Sequence, residues 1–175
     1  MPLPSFDRSG IFVYFACEEQ RMKPDKLSFK IQLIDRLTFE IDKKIQLLHE
    51  AIATAKESRD NETKSSVGDK YETSRAMVQM EIEKNQAQLS KTEAFKNSLT
   101  KIDSNPQVRT ITFGSLVLTS QGLYFFALPY GKIEVEGTPV FCLSLASPIG
   151  QALAGKSIGE SVIFQGRELK ILELS

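Results

Sequence analysis

Two stretches of this chain, residues 25–57 and 70–102, contain neither glycine nor proline, and together they constrain the fold more than any other feature. In the first, Ile41, Ile45, Leu48, Ile52 and Ala55 are spaced 4, 3, 4, 3, which is a helical seam of the coiled-coil type. Leu27, Ile31, Ile34 and Leu37 extend the stripe upstream. The second stretch carries a weaker stripe: Val78, Ile82, Leu89, Phe95, Leu99 and Ile102, with polar Asn85 and Thr92 in the seam. Each predicts a helix roughly 50 Å long. Between them "SRDNETKSSVGD", residues 58–69, is polar and has no apolar face. Two helices of matching length around a short polar link predict an antiparallel hairpin. Such a hairpin serves either as a dimerisation or spacer coiled coil, or as a probe that carries its tip into something.

From residue 107 the apolar period changes to two. "VRTITF", "SLVLT", "LYFFAL", "KIEVE", "PVFCLSL", "SVIFQ" and "LKILEL" read as strands, with Gly122, Gly131, Gly137 and Gly166 at or near turns. "KIEVEGTPVFCL" and "SVIFQGRELKIL" read as hairpins. One helix interrupts them. Ser147 is a good N-cap, Pro148 suits the first helical position, and Gly155 ends the helix after about Ala154. The expectation is an α+β chain: a coiled-coil hairpin over 25–103, then a small antiparallel sheet with one short helix over 107–175. Residues 1–24, with Pro2, Pro4, Gly10 and Pro24, read as irregular; with Met22 opening a natural-looking start, the residues before it read as a tail or a mis-assigned start.

Composition excludes several classes. The 22 basic and 22 acidic residues cancel, so no overall basic field draws the chain to nucleic acid or anionic lipid. Two distant cysteines, Cys17 and Cys142, and a single histidine, His49, give no zinc-ligand spacing and fit a reducing, cytoplasmic setting. His49 reads as a solvated helix residue and Cys142 as a small buried one. "IFVYFAC", residues 11–17, is too short to span a bilayer and lacks a basic leader.

Gly150 to Ser157 spells G-x-x-x-x-G-K-S, the letters of a phosphate-binding loop. The chemistry requires that glycine-rich turn to lie between a strand and a helix N-terminus, so that backbone N–H groups and the helix dipole face the phosphates. Here Gly150 to Ala154 lie inside the expected helix and Lys156 lies past its C-terminal end, the negative pole. No nucleotide is expected.

The long hairpin, the small sheet domain and "SPIGQALAGKSIGE" (residues 147–160) together resemble the bacterial GreA/GreB transcript-cleavage factor family. Ser144, Ser147, Pro148, Ile149, Gly150, Ala152, Leu153, Gly159 and Glu160 fit the C-terminal pattern, and the resemblance covers about residues 27–174. It implies an FKBP-like C-terminal fold that docks on RNA polymerase, with Ser147, Pro148 and Ile149 in the docking segment. The hairpin would enter the polymerase's secondary channel. Tip acids would help hold a second catalytic Mg²⁺, shared with the polymerase, so that the polymerase cleaves its own backtracked nascent RNA. The protein itself would be no enzyme and would bind no cofactor alone.

"GDKYETSRA", residues 68–76, is similar to the family's tip, and makes Asp69 and Glu72 the acidic pair. The same letters read as a helix start with Asp69 as cap and Glu72 three residues on. Thr73, Arg75 and Ala76 depart from the family's pattern, and Tyr71 supplies an aromatic from a different position. "EAIATAKESRD", residues 50–60, gives a second register, in which Asp60 and Glu62 are the tip acids. Two alternatives stand beside the cleavage factor. One is a secondary-channel regulator that does not stimulate cleavage. The other is an FKBP-like prolyl isomerase or peptide-binding module on a stalk, with Tyr124, Phe125, Phe126, Tyr130 and Phe141 as its pocket aromatics.

Overall fold

The computed structural model describes residues 26–62, 69–103 and 108–175; at the hairpin's outer end the side chains of 61–62 and 69–72 are outside that description. The expected N-terminal tail, residues 1–24, lies outside the described residues. The molecule is α+β. Helices α1 (Lys26–Glu62) and α2 (Asp69–Leu99) are followed by strands β1 (Ser115–Thr119), β2 (Gly122–Phe126), β3 (Gly131–Val135) and β4 (Thr138–Leu143). A short helix α3 (Pro148–Leu153) precedes β5 (Ser161–Phe164) and β6 (Arg167–Leu174).

The helices run antiparallel. Arg59 Nη1 donates to Gln79 Oε1 at 3.1 Å, and far down the pair Lys96 Nζ meets Asp42 Oδ1 at 2.7 Å. Ile41, Ile52 and Ile82 are buried in the seam. Thr92 is buried there too, and its hydroxyl donates to the Gln88 carbonyl at 2.7 Å, so the polar seam position leaves no hydroxyl proton unmet. Helix α1 extends into the expected link, as far as Glu62. Residues 58–62 contain no helix breaker, and Arg59 anchors that turn to α2. At the other end the expected stripe is displaced: Leu27 and Ile31 are exposed, whereas Lys30 and Leu33 are buried. Here α1 faces the sheet as well as α2, and the sheet selects the face that is covered.

The sheet order is β3-β4-β2-β1-β6-β5. It is mixed, not wholly antiparallel as expected, because β2 and β4 pair in parallel. The β3–β4 hairpin folds back with β4 inward. Val140 and Cys142 thus join Leu123 and Phe125 under the helices, while Lys132 and Glu134 of β3 face solvent at the edge. Both tight hairpins form without Asn-Gly. Glu136-Gly137 and Gln165-Gly166 all have positive φ (49°, 76°, 50° and 76°), as a two-residue type I′ turn requires. "VRTITF" is not a strand. Ile111 donates to the Lys156 carbonyl and accepts from Gly155 N–H, both at 2.9 Å, which ties the segment to the end of α3.

Alternation along the strands divides the core in two. Leu116, Leu118, Leu123 and Phe125 pack with Leu33, Leu37, Ile41 and Leu99 of the hairpin base. Val117, Phe126 and Ile171 pack on the other face with Ile111 and Leu153 of α3. Every residue of β1 is buried, as expected of a central strand covered on both faces. From Ile45, the last residue of α1 packed against that core, to Glu62 the helix rises about 25 Å further.

Candidate functional site at the hairpin end

The end of the hairpin away from the sheet is built from the last turn of α1 and the first turns of α2. Asp60 lies in that last turn and Glu62 closes the helix; Asp69 opens α2, with Tyr71 and Glu72 in its first turn. All five candidates therefore stand at one end of the molecule. The side chains of Glu62, Asp69, Tyr71 and Glu72 are outside the description, so both acidic registers stand as read from sequence, and so does the cap at Asp69.

What is described at this end is a polar relay. Arg59 Nε donates to Asp60 Oδ1 at 3.0 Å and Arg59 Nη1 to Gln79 Oε1 at 3.1 Å. Gln79 Nε2 in turn donates to Glu83 Oε1 at 3.0 Å. Asp60 is thus charge-paired within its own helix, with about two thirds of its side chain exposed (66%). Arg59, Arg75, Ala76 and Gln79 line an open cleft between the two helices. In the sequence Arg59 is one residue of a polar link and Arg75 a departure from the family's tip pattern. Neither position carries a signal of the cleft, which arises from packing between helices. Among the described residues no group of three His, Cys, Asp or Glu could hold a metal ion.

The segment expected to dock, Ser147 to Ile149, has an evident local structure. Ser147 Oγ accepts from Gly150 N–H at 3.1 Å and donates to the Ser144 carbonyl at 2.6 Å. Pro148 occupies the first turn and is exposed; Ile149 is half-buried against the core below α3. The phosphate-loop letters have structural roles. A Cβ on Gly150 would meet backbone atoms of Ser144 and Leu145, and Gly155 has φ 74° at the helix end. Lys156 Nζ is bound to Glu160 Oε1 at 3.0 Å, and Glu160 Oε2 accepts from Ser157 N–H at 2.6 Å. The Lys156 hydrogen bond first, then that from Ser157, holds the Glu160 carboxyl below its ordinary range.

The aromatics proposed for a peptide pocket are divided between faces. Phe125 is buried under the helices; Phe126 is buried on the α3 side, where Tyr124 packs 5.7 Å from Phe141. No helix among the described residues is long and apolar enough to cross a membrane.

No family model and no curated protein matches the chain. Among solved structures, that of the transcription factor Gfh1 is similar at 19% identity over 81% of this chain and 92% of that one, with a TM-score of 0.31. A superposition that loose carries no structural argument.

Proposed function

We propose that this protein is a Gre-type factor that binds RNA polymerase through its secondary channel and presents the hairpin end to the active centre. One observation carries the reading: a paired-helix stalk, seated by its base on a small sheet, holds Asp60, Asp69 and Glu72 at its far end. The Gre-like "SPIGQALAGKSIGE" segment lies on the same sheet domain. In this reading Ser147, Pro148 and Ile149 belong to the docking face, and Asp69 and Glu72 supply carboxylates to a Mg²⁺ held jointly with the polymerase. That ion supports phosphodiester cleavage by the polymerase; this chain contributes ligands and position.

The test is a pull-down with bacterial RNA polymerase followed by incubation with a backtracked elongation complex. Shortening of the RNA is expected with the wild-type chain, and a loss of at least about ten-fold in its rate with Asp69→Ala/Glu72→Ala. The alternative, a channel regulator without cleavage stimulation, is favoured by one specific feature: guanidinium groups and a paired Asp60 stand at the tip in place of a purely acidic surface. Polymerase binding without RNA shortening selects that alternative. Absence of polymerase binding rejects both.

A further inference from the structure

Arg59 and Arg75 are twelve or more positions apart in sequence and on different helices, yet they line one cleft with Gln79. Arg59 is fixed by two bonds, Nε to Asp60 and Nη1 to Gln79, which leave Nη2 without a partner among the described residues. Gln79 is fixed in turn by Glu83. Arg75 is exposed and makes no hydrogen bond or ion pair among the described residues. The cleft therefore combines one oriented guanidinium, half neutralised by Asp60, with a second that is uncommitted. Planar guanidinium forks match the oxygens of a phosphate, and two of them in the lining of one cleft double the donors available to it.

We propose that this cleft is a binding site for a phosphate oxyanion, with Arg75 as the principal contact and Arg59 as the pre-oriented second. Two sources present that chemistry: the backbone of a single-stranded nucleic acid, and a free oxyanion such as pyrophosphate. The site stands on the chain itself and does not depend on polymerase binding, so the two readings fail separately.

The test uses the full-length protein with ¹⁵N-labelled arginine. It is titrated at low salt with sodium pyrophosphate and, separately, with a short single-stranded RNA bearing a 5′-hydroxyl. Saturable shifts of the Arg75 and Arg59 Nε–Hε resonances are expected, weakening as salt is raised. Arg75→Ala is expected to weaken binding about ten-fold, while Lys84→Ala, on the same helix but outside the cleft, changes it less than about two-fold. Arg75 holds no other element in place, so far-UV circular dichroism should be unchanged in the variant. Saturation by RNA at concentrations well below those needed for pyrophosphate assigns the site to a nucleic-acid backbone; equal or better saturation by pyrophosphate assigns it to a free oxyanion. Failure of either ligand to saturate by about 10 mM overturns the proposal. So does an Arg75→Ala protein that binds like wild type, or shifts of equal size at Arg36, Arg109 and Arg167.

Discussion

At Gly150 an added Cβ would lie 2.9 Å from Leu145 Cα and its carbonyl oxygen, and closer still to the Ser144 carbonyl. These are backbone atoms, so Gly150→Ala is expected to destabilise the fold by about 2–3 kcal/mol despite alanine's better helix propensity. Urea unfolding reads this directly, and a change under about 0.5 kcal/mol would contradict the packing argument. Lys30 presents the opposite case. It is 1% exposed, its Nζ has no hydrogen-bond partner among the described residues, and burial lowers its pKa against a weaker opposing pull from Asp103. Lys30→Met is therefore expected to stabilise the protein by about 1 kcal/mol at neutral pH. Because the folded-state pKa is the lower one, the charged form is the costly one. The gain should shrink as pH rises through the folded pKa toward the unfolded value of 10.5. Burial likewise pushes the Cys142 thiol up to about 12. The thiol should resist iodoacetamide at pH 8.5 in the native protein and react in urea, and its contribution to stability should fall as pH climbs from about 9 to about 12. The Ser147 cap was legible from its letters, since a serine before proline at a helix start uses only local geometry. Lys30 was not legible: nothing in a run of Lys, Ile and Leu says which side a sheet will cover.

Among elements, the hairpin separates into a base and an outer half. Its base shares a core with the sheet, while among the described residues the helices beyond Ile45 pack only on each other. Among the described residues Ile52 and Ile82 are the buried apolar ones of that outer half. Ile82→Ala is expected to speed hydrogen exchange at amides 52–60 and 73–80 by about ten-fold or more, while β1 and β2 amides hold. Equal acceleration in both places would show that the outer half has no independent stability. The seam of this half was readable because helix against helix imposes one period. The outer cleft was not, because Arg59 and Arg75 come to line it only through the interhelical register that Arg59–Gln79 and Asp42–Lys96 define.

For the whole molecule, the shared core of Leu33, Leu37, Ile41 and Leu99 with Leu116, Phe125 and Val140 predicts joint unfolding of hairpin base and sheet. Helix content by far-UV circular dichroism and methyl resonances of Leu116 and Val140 should lose native signal at one denaturant concentration. Separate midpoints would mean that the two parts are independent domains. By itself the sequence determined two long helices, all six strands near their observed places, the two tight hairpins and the start of α3. Each follows from short-range periodicity, caps and turn chemistry. Only the tertiary structure decided that β4 lies parallel to β2, that "VRTITF" ties to α3 instead of forming a strand, and that Lys30 is buried. It alone also decided that two guanidiniums share a cleft at the hairpin end. Those outcomes depend on which surfaces meet across distant parts of the chain, and local pattern carries no term for that.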